Sequence, residues 1–187
     1  MNKAVFLDRD GTINVDTGYV HKIKDLKFER RAIKGLKEMQ NLGYLLIIIT
    51  NQSGIGRGLY AEDQYHKFMD YMYRQLEMDG IKIDRDYFCP HHAKEGRGKY
   101  KTDCDCRKPK IGMLDQAVGD FDINISSSWV IGDKTADIEM GIRAGCRTIL
   151  VKTGKGGKDG EYKVAPDHVA SNLADAAGYI LQNESKN

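Results

Sequence analysis

The sequence predicts an α/β protein of three layers, a central parallel sheet with helices on both faces in the Rossmann-like manner. Short apolar runs that end abruptly in polar residues point to it, as do the helical patterns lying between those runs. The length of 187 residues is enough to bury a core without disulfides. Strands covered on both faces read as near-continuous apolar segments, and these runs do.

Ala4 to Asp8 is the first such run, and it delivers Asp-Arg-Asp-Gly-Thr at its carboxyl end. Arg31 to Asn41 follows as a helical pattern, then Leu45 to Thr50 as a second strand of the same design. Ala61 to Asp79 sets Tyr65, Phe68, Met69, Met72 and Leu76 on one helical face, with Gly80 as the stop signal. Trp129 to Asp133 is the third strand, and Thr135 to Ala144, closed by Gly145, the next helix. Arg147 to Val151 supplies a fourth strand with no carboxylate at its end, and Asn172 to Leu181 a last helix. Thr153 to Gly160, rich in Gly and Lys, reads as a mobile surface loop. With no repeat or linker, 1–187 is expected to be one domain joined by right-handed crossovers. Its ligands should bind beyond the carboxyl ends of the strands.

Composition narrows the function. The chain is 41% hydrophobic and 30% charged, with a mean hydropathy of -0.54, as in soluble globular proteins. No stretch approaches a membrane span and the start lacks a signal-peptide core, so a cytoplasmic protein without a membrane partner is expected. A formal net charge of +2 is too small to announce a nucleic-acid binder and leaves small anionic substrates open. Nothing demands a protein partner, and a monomer is expected. Positive charge concentrates between Lys94 and Lys110, where a solvated loop is the plain alternative to a binding role.

Asp8 and Asp10 sit two apart and leave the strand end on one face. Asp-x-Asp-Gly is common in turns, so the motif needs support from elsewhere in the chain. A carboxylate attacking a phosphoryl dianion at about 4 Å meets a repulsion of roughly 8 kcal/mol at an effective dielectric near 20. Carboxylates from separate strand ends, with Asp133 as the distant one, form a hard-oxygen site suited to magnesium. Lys108 supplies a point charge, and Thr50 a hydroxyl for a phosphoryl oxygen. Nucleophile, acid, metal ligand and oxyanion donors are then all present for phosphoryl transfer.

The four cysteines are Cys89, Cys104, Cys106 and Cys146. Cys89-x-His91, then, after a twelve-residue loop, Cys104-x-Cys106, offers three thiolates and an imidazole for a closed tetrahedral zinc site, with His92 as rival to His91. The loop of about 89–106 has few apolar residues to hold itself, and Cys106 directly precedes Arg107 and Lys108. A structural zinc would therefore fix the position of two cations. Cys146 reads as a small core residue, and disulfides are not expected in a reducing compartment.

Asp8-Arg9-Asp10-Gly11-Thr12, Thr50-Asn51, Lys108-Pro109 and Gly132-Asp133-Lys134-Thr135-Ala136-Asp137 resemble, in order, the four motifs of haloacid dehalogenase (HAD) superfamily phosphatases. The resemblance implies that fold without a large cap domain, and hydrolysis of phosphoric monoesters through an aspartyl-phosphate. It makes Asp8 the nucleophile, Asp10 the acid and base, and Thr50 and Lys108 the phosphoryl-holding groups. It assigns magnesium to Asp8, the Asp10 carbonyl and Asp133, with Asp137 orienting Lys108 or the metal site and Lys134 bordering it.

Within the superfamily, Asp16-Thr17-Gly18-Tyr19-Val20-His21, Thr50-Asn51-Gln52-Ser53-Gly54-Ile55, Cys89-Pro90-His91-His92 and Cys104-Asp105-Cys106-Arg107 are similar to the heptose-bisphosphate phosphatase branch. That similarity implies a small phosphorylated sugar as substrate, met by Asp16, Thr17, Gly18, Tyr19, Asn51, Gln52, Ser53 and Arg107. It also selects His91 over His92 as the zinc ligand. Histidinol-phosphate phosphatases share the motifs and the zinc loop; Asp16 to His21 favours heptose. Nucleic-acid 3′-phosphatases are a further alternative, disfavoured because the basic residues cluster in one short loop. A non-enzymatic zinc module would have no need of Asp8. One departure from the branch is Lys27 to Ala32, which lacks the Pro-Gly expected before the first helix.

Overall fold

The computed structural model describes residues 1–184, so the end of the domain expected over 1–187 lies outside the described residues. Six strands form one sheet: β1 (Ala4–Leu7), β2 (Leu45–Asn51), β3 (Arg85–Cys89), β4 (Trp129–Gly132), β5 (Arg147–Val151) and β6 (His168–Ala170). Every pairing is parallel, in the order β3-β2-β1-β4-β5-β6. Parallel neighbours need crossovers, and the helices supply them: α1 (Ala32–Asn41), the single turn α2 (Ser53–Gly56), α3 (Glu62–Met78), α4 (Gly112–Phe121), α5 (Thr135–Ala144) and α6 (Leu173–Glu184).

The two-residue period of a strand divides the core. Val5 and Leu7 of β1, with Leu46 and Ile48 of β2, pack under Leu36 of α1, Phe68 of α3 and Ile180 of α6. Ala4 and Phe6, with Ile47 and Ile49, face Met113, Leu114 and Ala117 of α4 and Met140 of α5. All of β1 is therefore buried, which explains its unbroken apolar sequence. Since every strand points the same way, all carboxyl ends share one edge. β1 lies between β2 and β4, so the residues that end these three strands are neighbours there.

The four strands expected from sequence are present, with Asp8 and Asp133 just beyond the last strand residues. The edge strands β3 and β6 and the helix α4 were not expected. Edge strands need one covered flank, and β3 opens with Arg85 and Asp86, so neither it nor three-residue β6 makes an apolar run. The absent Pro-Gly start of α1 has a counterpart in Arg31, which precedes the helix at φ +64° without a side-chain cap. α6 runs further than Leu181, and its Glu184 accepts hydrogen bonds from Lys3 at 2.7 Å and the Tyr44 hydroxyl at 2.6 Å. Among the described residues no helix is long and apolar enough to cross a membrane.

Gly35 is the contact at which α1 meets α6: a Cβ there would overlap the Leu173 backbone, which has no freedom to swing aside. Gly35→Val is expected to cost about 1–3 kcal/mol by forcing the two helices apart. The check is a lower urea midpoint at unchanged slope; an unaltered midpoint would remove this contact from the set that holds the layer.

Candidate active site

At the carboxyl edge of β1, β2 and β4 lies a cavity of about 240 Å³ whose lining includes Asp8, Asp10, Thr50 and Lys108. Lys108 reaches into it from the loop before α4, and its Nζ lies 2.8 Å from Asp8 Oδ1 and 2.6 Å from Asp137 Oδ1. It also donates to the Ile49 carbonyl at 2.7 Å. All three charged residues are buried. Burial opposes ionisation of Asp8, but the Lys108 and Lys134 charges outweigh it and hold the carboxyl below its ordinary value, the state a nucleophile needs.

Asp133, just beyond β4, is fully buried and does not line the cavity. Its Oδ2 accepts from the Lys155 N–H at 2.6 Å, while Oδ1 has no hydrogen-bond partner among the described residues. Burial, then the nearby Asp8 and Asp137 carboxylates, push the Asp133 carboxyl up to about 8. Oxygens of Asp8, Asp133 and Asp137 lie within 4.8 Å of one another, a concentration of negative charge that a cation would relieve. Asp137 is already engaged, accepting the Lys134 N–H at 3.0 Å in the first turn of α5 besides pairing with Lys108.

Asp10 is held on several sides. Arg9 Nη2 lies 2.8 Å from each of its oxygens, Asn14 Nδ2 3.0 Å from Oδ1 and Gln52 Nε2 2.9 Å from Oδ2. Gln52 Nε2 also donates to the Thr50 hydroxyl at 2.8 Å, and its Oε1 accepts from the Tyr60 hydroxyl at 2.5 Å. Asn51 makes a two-way bridge to the Lys108 backbone, donating to its carbonyl at 3.3 Å and accepting its N–H at 3.1 Å. Gln52 and Asn51 thus border the cavity while fixing Asp10, Thr50 and Lys108 in place.

The expected sugar-facing residues gather on the same cavity with one exception. Asp16, Gly18, Tyr19, Asn51, Gln52, Ser53 and Arg107 line it, whereas Thr17 is exposed and stands outside the lining. Asp16 Oδ1 accepts the Gly18 N–H at 2.8 Å, turning the loop so that Thr17 sits at its outer tip. Lys134 lines the cavity too, with Nζ 3.7 Å from Asp16 Oδ2.

The segment expected as a mobile surface loop is instead pinned against the site. Besides the Lys155 bond to Asp133, the Gly157 N–H donates to the Asp133 carbonyl at 2.8 Å. Gly154, at φ +54°, leaves no room for a Cβ, which would overlap Asp133 Oδ2. Asp159 accepts from the Thr135 N–H at 3.0 Å and from its hydroxyl, and Tyr162 N–H donates to that hydroxyl at 3.1 Å. Between them Glu161 joins the cavity lining. The repeated Gly in this stretch was the available signal, since close backbone approach is one of the two things glycine permits.

Cys89 ends β3 and meets the other three residues of its set. Its Sγ lies 3.1 Å from Cys106 Sγ and 3.5 Å from Cys104 Sγ. His91 Nδ1 is 3.3 Å from Cys106 Sγ, and no disulfide forms among these thiols. His92 turns away, its Nδ1 accepting the Glu95 N–H at 3.0 Å. Arg107 donates to the His91 carbonyl at 3.3 Å, which ties a cavity-lining cation to the cluster. Cys146 is buried in the core on the α4 and α5 face.

Known proteins resemble this chain in sequence and fold. A family model described as HAD-hydrolase-like matches residues 105–176. D-glycero-beta-D-manno-heptose-1,7-bisphosphate 7-phosphatase of Haemophilus influenzae is 47% identical over 176 residues, covering 94% of this chain and 95% of that protein. D-glycero-alpha-D-manno-heptose-1,7-bisphosphate 7-phosphatase of Photorhabdus laumondii is 46% identical over 153 residues, covering 81% of this chain and 84% of its own. The crystal structure of D,D-heptose 1,7-bisphosphate phosphatase from B. bronchiseptica, complexed with magnesium and phosphate, superposes with a TM-score of 0.85 at 29% identity over 97% of this chain and 99% of that one. With its cavity, its motif order and near-complete coverage all in agreement, the chain belongs to the heptose-1,7-bisphosphate 7-phosphatase family of HAD-like hydrolases.

Proposed function

We propose that this chain removes the 7-phosphate of D-glycero-D-manno-heptose 1,7-bisphosphate, in the making of heptose precursors for lipopolysaccharide or other glycoconjugates, through an aspartyl-phosphate on Asp8. The observation that carries the reading is the 47% identity, over 94% of the chain, to a phosphatase of that name. In this reading Asp8 attacks phosphorus as the bond to the sugar oxygen breaks, and Asp10 gives that oxygen its proton. Asp10 next takes a proton from water as the water oxygen attacks the phosphoaspartate, releasing phosphate and restoring Asp8. Thr50 and Lys108 hold phosphoryl oxygens. Asp16, Gly18, Tyr19, Ser53 and Arg107 meet the sugar, with Arg107 on its second phosphate or a hydroxyl.

Magnesium fits the residues present. Asp8 and Asp133 offer hard oxygens, and the unpartnered buried Oδ1 of Asp133 is an acceptor awaiting a cation. Asp8, Asp133 and the Asp10 carbonyl would hold it, while Asp137 remains committed to Lys108. When bound, magnesium supplies positive charge that offsets the repulsion between Asp8 and the phosphoryl group. Zinc fits the other cluster, since three thiol sulfurs and an imidazole nitrogen gathered within 4.8 Å match its usual ligand set. It would hold Cys89, His91, Cys104 and Cys106 and so steady Arg107 and Lys108.

Phosphate release with magnesium, measured side by side on heptose 1,7-bisphosphate, histidinol phosphate and a 3′-phosphorylated oligonucleotide, should favour the first by at least about 100-fold. Asp8→Asn should fall by at least about a thousandfold while keeping its fold. Preference for histidinol phosphate would overturn the substrate, and retained turnover in Asp8→Asn the nucleophile. Gly154→Ala, which crowds Asp133 and puts a side chain at positive φ, is expected to lower kcat by about 10- to 100-fold and to lower Tm as well; full activity would free the segment of any part in placing Asp133. Elemental analysis should find one zinc per chain, and Cys104→Ser should lose it together with thermal stability. Wild-type protein that is stable without zinc would sink the staple.

A further inference from the structure

We propose that Arg9 is the positioning residue that aims Asp10 at the leaving group and couples it to the loop carrying Asp16, Gly18 and Tyr19, an inference that rests on the reading of Asp10 as proton donor. Arg9 stands between the two aspartates of the first motif, and its side chain is fully buried. A guanidinium in that position is rare and must be paired and hydrogen-bonded to be tolerated. It packs against α3, with the guanidinium carbon 4.8 Å from the Phe68 ring centroid and 5.6 Å from that of Tyr65. Its polar edge is turned to Asp10.

A charge needed for the core alone would be satisfied by a single contact to any carboxylate. The planar fork does more than that, with Nη2 2.8 Å from both Asp10 oxygens and Nε 3.1 Å from Oδ1. A planar group buried against aromatic rings has little freedom, and it passes that restriction to the carboxylate it grips. Nη2 also donates to the Val20 carbonyl at 2.6 Å. Val20 directly follows Tyr19, so one nitrogen touches both the group that moves the proton and the loop that meets the sugar. Rate from a general acid depends on placing its proton within hydrogen-bond reach of the departing oxygen.

The proton matters unequally among substrates, and that separates positioning from mere support. As the Asp8 oxygen bonds to phosphorus and the ester P–O bond breaks, a sugar alkoxide must receive the Asp10 proton. A p-nitrophenolate leaves without one. The experiment is single-turnover release of the leaving group, before the hydrolytic step common to both, from heptose 1,7-bisphosphate and from p-nitrophenyl phosphate. The proteins compared are wild type, Arg9→Met, Arg9→Lys and Asp10→Asn, each checked for fold by circular dichroism. Arg9→Met is expected to lose at least about 100-fold on the sugar ester and less than about tenfold on the aryl ester, the same split as Asp10→Asn. Arg9→Lys, which keeps the charge without the fork, should show a smaller split of the same sense, and it stands in if Arg9→Met fails to fold. Equal losses on both esters in the Arg9 variants, with the split retained in Asp10→Asn, would overturn the inference and leave Arg9 a core cation. No split in Asp10→Asn would instead remove the proton donor itself.

Discussion

Asp8, Asp133 and Asp137 bring three carboxylates within 4.8 Å of one another in a place almost closed to water, and the rest of the site is arranged around that concentration of charge. Each carboxylate ionised in isolation there would be driven to neutrality. Lys108 prevents this for Asp8 by lying between Asp8 and Asp137, whereas Asp133 is left with a carboxyl pushed up to about 8 by its burial and its neighbours. The cluster is thus balanced on one side by a fixed cation and left wanting on the other. Losing Lys108 would leave two buried carboxylates facing each other, so its placement is the constraint on which the site depends.

That placement comes from two directions. Below, the parallel sheet sets the carboxyl ends of β1, β2 and β4 side by side, which brings the Ile49 carbonyl and Asp8 to the Lys108 ammonium. Above, the Lys108 backbone is gripped by Asn51 at the end of β2, and the residues just before it belong to the Cys89, His91, Cys104 and Cys106 cluster. A loop rich in Lys, Gly and Arg has little apolar surface besides Tyr100, which packs on the core, so the thiol and imidazole contacts add to what fixes its shape.

Much of this was legible in the sequence, for a physical reason. Strands buried on both faces must be apolar throughout, so Ala4 to Leu7 and Trp129 to Gly132 announce themselves, and the carboxylates that follow them stand out by contrast. Cys89, His91, Cys104 and Cys106 were readable because their chemistry is distinctive whatever the fold. Edge strand β3 was not, since Arg85 is exposed and Asp86 is satisfied by the Tyr65 and Tyr73 hydroxyls of α3, so the strand shows no apolar run. The pinned segment after β5 was not either. Its contacts to Asp133 run through the backbone N–H groups of Lys155 and Gly157, which every residue but proline possesses and which no side-chain pattern reports. The exposed position of Thr17 has a related cause: the four-residue stretch reads as a unit in the sequence, whereas the turn closed by Asp16 and Gly18 sends its members in different directions.

The three segments that frame the cavity share one principle of attachment. The loop of Asp16 to Tyr19 is tied through Val20 to Arg9, the residue that grips Asp10. Arg107 is tied through the His91 carbonyl to the cysteine cluster that precedes Lys108. Glu161 is flanked by Asp159 and Tyr162, both bonded to Thr135 at the start of the helix that presents Asp137. On the cavity wall, Asp16, Arg107 and Glu161 are therefore each anchored beside Asp10, Lys108 or Asp137. A ligand that shifts one of these segments must strain the geometry of Asp10, Lys108 or Asp137, while one that fits leaves them where the sheet and the buried charges already hold them. Shape recognition and charge placement are in this way one mechanical unit, built without a large cap.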